Sequence, residues 1–335
     1  VQPGKLTEHR RVIKGFFHGR VRQVEPLLQK VNAQHRFHSK RWTTTFGATR
    51  RRVWRNQAHK LSPRHDQVHI VEELALARSL GLAFKSSGAQ AHLLHAVTVS
   101  HSGLHAEVLQ TIKDKLKPGM TTRDLDKIAD ALVAKRGGKP AFKGYRGYPY
   151  ALCTSVNQEV VHGMLSDRGL VEGDIIGIDF GVWLQGYYGD AAVTLPVGRI
   201  SERAQRLIQV TEQSLYAAIE NAREGKRLGD ISAAVQKTVE SAGFSVVRDF
   251  VGHGIGENLH EDPQIPNFGK AGRGIELQAG MIFAIEPMVN EGRYAVRILE
   301  DGWTVVTDDG SLSAHFEHSV AITDNGPDIL SRWDG

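Results

Sequence analysis

Asp179, Asp190, His253, Glu286 and Glu317 stand in apolar or glycine-rich runs, reading GIDFG, YYGDAA, GHGIG, FAIEPM and HFEHS. A carboxylate desolvated without a partner is expensive, so each of these positions demands positive charge or hydrogen bonds nearby. A buried salt bridge would account for any one of them. Five together, with little basic charge in the strand-like runs around them, call for another cation source, and a pair of divalent metal ions would supply it. Four carboxylates and one imidazole are mostly hard oxygen, a donor set that suits Co, Mn, Fe(II) or Zn. Two such ions bridged by carboxylates acidify a bound water and polarise a carbonyl, which is the chemistry of peptide or amide hydrolysis.

These residues need elements to bring them together. Gln185-Gly186 reads as a hairpin turn between strands at 174–183 and 187–195, which draws Asp179 toward Asp190. Two carboxylates that close repel unless a cation lies between them. Glycines flank His253 on both sides, and are expected to let the backbone turn tightly and expose the imidazole. A phosphate cradle is the alternative reading of GHGIG, but no Lys-Ser/Thr pair follows it. Glu286 precedes Pro287 within a strand expected over 281–290, and Glu317 lies in one over 316–322. Further strands are expected at 151–156 and 303–307.

Leu104, Val108, Leu109, Ile112 and Leu116 recur at helical spacing, and Lys117-Pro118-Gly119 ends that helix. Thr121 and Asp124 form a capping box, after which Leu125, Ile128, Leu132 and Val133 line one helix face up to Gly137-Gly138. A related pattern returns 106 residues later: Gly119, Asp124, Leu125, Ala129, Val133 and Gly137 correspond to Gly225, Asp230, Ile231, Val235, Val239 and Gly243. This points to a domain of two similar halves. The fold class expected is α+β, with a largely antiparallel sheet and a site between the halves.

The chain has 335 residues, 41% of them hydrophobic, enough for one large domain or two modest ones. The single cysteine, Cys153, excludes an intramolecular disulfide and a Cys-rich zinc module. No apolar run spans a membrane and no signal-peptide pattern opens the chain, so a cytoplasmic protein is expected. Net charge is +5, but residues 1–65 hold sixteen Lys and Arg against Glu8 and Glu25, and the remainder is acidic. Residues 1–102 form a basic extension, separate from a catalytic domain over 103–335, with one amphipathic helix expected at 70–84. Four readings stay open for the extension. It is a basic arm for RNA or the ribosome, an organelle transit segment, a disordered tail, or upstream sequence from a wrong start or frame.

Eleven of the sixteen histidines fall at or before residue 105. His162 and His260 are among the five beyond it, in VVHGM and NLHEDP, and on their own stay open between structural and catalytic roles. The segments GYRGYP, CTSVNQEVVHG, GDIIGIDFGVW, GYYGDAAVT, VVRDFVGHGIG, GMIFAIEPMVNEG and DGWTVVTDDGSLSAHFEHSVAITDNGPDIL resemble the type I methionine aminopeptidases over about 104–332. The ligand spacings of 11, 63, 33 and 31 leave no room for the helical insertion of the type II enzymes. The resemblance implies the pita-bread fold with its two pseudo-symmetric halves. It implies that Asp179 binds one metal, that Asp190 and Glu317 bridge two, and that His253 and Glu286 complete the ligands of the other ion. It also implies that Glu286 helps activate water, that His162 contacts the substrate amine or the tetrahedral intermediate, and that His260 holds the scissile carbonyl or the backbone beyond it. Phe142, Tyr145, Tyr148, Cys153, Leu259 and Trp303 would form the methionine pocket.

The partners implied are the N-termini of nascent polypeptides, with the ribosome as a further candidate, no membrane, and nucleic acid only through the basic extension; a monomer is expected. Departures from the family lie at Phe142, Val161 and Leu259, and at Ser100-His101-Ser102-Gly103, where family members carry an Ala-Gly pair. A prolidase, a pita-bread protein without catalysis and a basic nucleic-acid binder are the competing functions.

Overall fold

The computed structural model describes residues 103–333. The basic extension and the helix expected at 70–84 lie outside the described residues. The first described helix, α1 (103–115), buries Leu104, Val108, Leu109 and Ile112, and Gly119 at φ 90° carries the chain out of it. Helix α2 (Thr122–Lys135) opens on the expected capping box, with the Asp124 N–H donating to Thr121 Oγ1 (3.2 Å) and the Thr121 N–H donating to Asp124 Oδ2 (3.1 Å). Helix α3 (Glu202–Asn221) starts at Ser201, whose hydroxyl accepts from the Ala204 N–H. Helix α4 (Leu228–Ser241) follows and packs on α3.

The 106-residue repeat is structural. Leu125, Ala129 and Val133 of α2 and Ile231, Val235 and Val239 of α4 are all buried. Asp230 Oδ2 accepts from the Arg227 N–H (2.8 Å), matching Asp124 in α2; Arg227 has no acceptor to return the bond, so only the carboxylate half of that cap recurs. Gly119 and Gly225 both have positive φ (90° and 79°), as do Gly137 and Gly243 (73° and 82°). The turns before the helices are tied alike, Gly119 N–H to the Leu170 carbonyl and Gly225 N–H to that of Leu277.

The strands in the first half are β1 (Lys139–Pro140), β2 (Cys153–Val156), β3 (Glu159–Val161), β4 (Ile175–Leu184) and β5 (Tyr187–Pro196). After α4 come β6 (Ser245–Val246), β7 (Gly252–Gly254), β8 (Glu261–Ile265), β9 (Ile282–Ile285) and β10 (Met288–Asn290). The last five are β11 (Val296–Ile298), β12 (Val305–Thr307), β13 (Ser313–His315), β14 (Glu317–Thr323) and β15 (Gly326–Ile329). Nine of them form an antiparallel sheet in the order β1-β4-β5-β14-β9-β7-β8, with β2 on β4 and β15 on β14. Two three-stranded sheets, β13-β10-β6 and β11-β12-β3, flank it. Along β4, Ile176, Ile178, Phe180 and Val182 join the main core with the helices. The alternate residues Asp179 and Gly181 therefore face the other way, by the period of two in a strand.

The strand expected over 316–322 forms as β14, but the run 281–290 breaks at Glu286-Pro287 into β9 and β10. Proline has no N–H for the ladder, and here the chain passes from the large sheet to a small one: β9 pairs with β14, but β10 pairs with β13. Across Phe316 the chain likewise passes from β13 to β14. Among the described residues no helix is long and apolar enough to cross a membrane.

Candidate metal centre and pocket

Register alone places the five ligand-type residues on one face of the large sheet. The β4–β5 hairpin turns through Gln185 (φ 54°) and Gly186 (φ 94°), the two positive-φ residues of a tight two-residue turn. Its register sets Asp179 opposite Ala192 and Gly181 opposite Asp190, so the two carboxylates are diagonal neighbours on one face. On the far side of β5, Glu317 also stands opposite Ala192. The small Ala192 thus sits between two acids, and Asp190 lies two residues along from it. Across the next strands His253 pairs with Ala284, and Ala284 with Ser319. Counting by twos, Glu286 and Glu317 share the face of His253. The corner where both strands change sheets leaves those two carboxylates at the mouth of the ladder.

The glycines around His253 act differently from the sequence expectation. Gly252, His253 and Gly254 form strand β7, and none of them has positive φ. A Cβ at Gly252 would run into the Ala284 carbonyl oxygen, and one at Gly254 into that of Asp262. Glycine is needed for close strand approach and not for a turn.

Donor atoms of Asp190, His253 and Glu317 all lie within 4.8 Å of one another. Glu286 adjoins them, with Oε1 3.7 Å from His253 Nε2. His253 Nδ1 is 2.9 Å from the Gly254 carbonyl, which can only accept, so Nδ1 carries the proton and Nε2 presents a lone pair toward Glu286. A lone pair facing a carboxylate needs a cation between them. Asp179 Oδ1 and Glu317 Oε1 are buried without a hydrogen-bond partner. Burial, reinforced by Asp190 and Glu286, pushes Asp179 and Glu317 well above the usual carboxylate range, and burial next to Asp190 does the same to Glu286. Asp190 is lifted by burial to about 7 even though the Ala191 N–H donates to it. Orphaned acceptors, an oriented imidazole and mutually repelling acids make this donor set fit divalent metal ions.

One cavity of about 130 Å³ brings together all thirteen residues singled out by sequence. Its apolar end is walled by Phe142, Tyr145, Tyr148, Cys153, Leu259 and Trp303. The Tyr148 hydroxyl donates to the backbone between the Leu152 and Gly163 carbonyls (3.0 and 2.9 Å), which holds its ring edge-on to Trp303. A Cβ on Gly181 would stand 2.7 Å from the Phe142 ring, so the absence of a side chain there seats Phe142. Burial and then Asp179 push the Cys153 thiol up, which makes it a wall and not a nucleophile.

His162 and His260 line the same cavity. His162 meets Phe250 edge-on, and its burial keeps the imidazole neutral. His260 lies 4.2 Å from the His253 ring and stacks on Tyr145 at 5.3 Å. Partial burial, with His253, Arg146 and His162 adding, depresses it to about 4.

Two residues escaped the sequence reading. Arg146 lines the cavity from within GYRGYP. His315 is fully buried, with Nε2 3.6 Å from Glu286 Oε2, and burial lowers it to about 3. Both lay inside recognised motifs, but only the folded corner shows what they face.

The sequence profile described as metallopeptidase family M24 matches residues 101–324. The methionine aminopeptidase of Clostridium perfringens is 56% identical over 225 residues, which are 67% of this chain and 90% of that protein. The structure of the methionine aminopeptidase from Thermotoga maritima aligns with a TM-score of 0.68 at 51% identity, covering 70% of this chain and 94% of that one. A prolidase from Pyrococcus horikoshii shares the fold alone, with a TM-score of 0.56 at 20% identity over 70% of this chain and 60% of its own. The helix-backed antiparallel sheet is the pita-bread fold that the sequence resemblance implied.

Proposed function

The chain belongs to metallopeptidase family M24, and from that membership we propose that it is a methionine aminopeptidase acting on nascent chains and peptides with a small second residue. The observation that carries this reading is the union of five ligand-type side chains and an aromatic pocket in one cavity. At about 130 Å³ the cavity is comparable to the roughly 150 Å³ that accepts a benzene ring, enough for one unbranched thioether side chain beside the ligands.

In this proposal Asp179, Asp190, His253, Glu286 and Glu317 would hold two divalent ions. The ions supply Lewis acidity and an acidified water at neutral pH. Glu286, whose carboxylate stands 3.7 Å from His253 Nε2 at the edge of the donor set, would take a proton from the attacking water and return it to the leaving amine. Its backbone is fixed by Asn267, whose side-chain N–H donates to the Glu286 carbonyl (2.9 Å). His162 and His260, both kept neutral, offer N–H donors to the substrate carbonyl and backbone without adding charge. Phe142, Tyr145, Tyr148, Cys153, Leu259 and Trp303 exclude water and enclose the methionine side chain. The chain's N-terminal extension, its oligomeric state and any ribosome contact enter none of these steps.

Hydrolysis of Met-Gly-Met and Ala-Pro by the metal-loaded protein tests the proposal. Release of free methionine with the proline peptide left intact supports it; preference for Ala-Pro assigns the chain to prolidase chemistry and overturns it. Glu286→Gln should abolish turnover of Met-Gly-Met while circular dichroism stays that of the folded domain.

A further inference from the structure

Arg146 is the only Lys or Arg among the residues lining the cavity. It is exposed, and it makes no ion pair among the described residues. Its backbone is left-handed at φ 49°, between Gly144 (φ 89°) and Gly147 (φ 92°). A residue with a Cβ is disfavoured there by about 1 kcal/mol or more, and such strain persists where surrounding bonds over-determine it. Here they do. Tyr145 N–H donates to the Phe142 carbonyl (2.9 Å), Tyr148 N–H to that of Tyr145 (2.9 Å), and Gly144 N–H to that of Tyr148 (2.7 Å).

The turn holds the guanidinium 5.3 Å from the centre of the Tyr145 ring. Tyr145 stacks on His260, and His260 lies against His253. The four side chains form a ladder from the metal ligands to the cavity rim, with Arg146 as its outer rung. A substrate whose scissile bond lies at the centre and whose chain leaves past His260 runs by this rim residue. An extended chain advances about 3.3 Å per residue, so two rungs of 5.3 Å span at most about three residues beyond the scissile carbonyl, which puts the guanidinium within reach of the third or fourth substrate residue and no farther.

We infer that Arg146 is a specificity-determining residue that recognises a carboxylate on the third or fourth residue of the substrate, resting on the aminopeptidase reading above. Arginine offers a planar fork of donors matched to a carboxylate, and Tyr145 beneath it limits the positions the fork can take. The carboxylate has two sources: an Asp or Glu side chain, or the C-terminus of a short peptide.

Four peptides separate them: Met-Gly-Met as acid and as amide, and Met-Gly-Glu amide against Met-Gly-Gln amide. Within the wild-type enzyme, kcat/KM at low salt should favour each carboxylate peptide over its neutral twin by about threefold, the scale of an exposed ion pair, through KM. A preference in the first pair alone assigns the C-terminal carboxylate; a preference in the second assigns the side chain. Both preferences should shrink at about 0.5 M salt. Arg146→Gln should bring the ratios to about one, and Arg146→Glu should invert them. Arg146→Gly, which suits the left-handed turn, guards against a folding defect in the larger variants. A wild-type ratio of one, or a ratio unchanged in Arg146→Gln and Arg146→Gly, overturns the role of Arg146 while leaving methionine release intact. No release from any of the four peptides by the metal-loaded wild type overturns the aminopeptidase reading itself, and this inference with it.

Discussion

Replacing Asp190 by Asn should stabilise the metal-free domain and do so more strongly as pH rises. Asp190 is 4% exposed, and burial lifts its folded-state pKa from an ordinary 3.8 to about 7. A raised folded pKa means that the folded state keeps its full stability below about pH 3.8 and loses it progressively as pH climbs to about 7. At about 1.36 kcal/mol per pKa unit, the wild-type penalty is about 2 kcal/mol near pH 5.5 and about 4 kcal/mol above pH 7. The amide in the Asp190→Asn variant does not titrate. Asp179, Glu286 and Glu317 are each raised partly by Asp190, so their relief adds in the same direction. His253, His260 and His315 have depressed folded pKa values and lose stability as pH falls below about 6.5, but they do so in both proteins. The difference between variant and wild type is therefore the informative quantity. Urea unfolding of chelator-treated protein at pH 5.5, 7 and 8.5 measures it. A gap that widens from pH 5.5 to 7 and does not narrow by pH 8.5 supports the account. A flat gap, or an Asp190→Asn domain less stable than the wild type at pH 8.5, would refute the claim that the centre is an electrostatic liability without metal.

Gly181→Ala should place a Cβ 2.7 Å from the Phe142 ring and 2.9 Å from the Ala141 Cβ, destabilising by about 1–3 kcal/mol and tilting Phe142 into the pocket. Steady-state kinetics should show a raised KM for methionine peptides; an unchanged KM with the stability lost would mean that Phe142 is core and not pocket wall. Gly254→Ala should push β7 off the Asp262 carbonyl and weaken metal binding by calorimetry, and retained affinity would show that the strand absorbs the methyl. Gln185→Asn should raise stability by a few tenths of a kcal/mol in thermal melts, because Asn tolerates the left-handed φ of 54° better; a fall in Tm would contradict the turn assignment.

What was legible in the sequence was whatever a local rule controls. The Gln185-Gly186 hairpin, the Thr121–Asp124 cap and the repeated helix of the second half follow from turn chemistry, capping and periodicity over a few residues. The five candidate ligands were visible because four acids in apolar runs and a histidine between glycines break the pattern around them. Features set by contact between distant segments were not visible. The strand expected over 281–290 bends at Glu286-Pro287, because its two ends pair with different sheets. His253 needs its glycines for the close approach of the Ala284 and Asp262 backbone, and not for a turn. His315 and Arg146 gained meaning only from Glu286 and from the Tyr145–His260 stack that they face. Strands as short as β1 and β6, two residues each, carry no periodic signal of their own.

The central claim is that these five side chains gather divalent ions beside a methionine pocket. Stripping the protein with chelator and titrating Mn²⁺ back, with bound metal and methionine released from Met-Gly-Met followed together, tests it most directly. The account predicts no turnover in the stripped protein, and recovery of turnover as up to two ions bind per chain. It also predicts that Asp190→Asn and Glu317→Gln cut both binding and turnover. Full methionine release from the stripped protein, or metal binding unaltered in both variants, would contradict it.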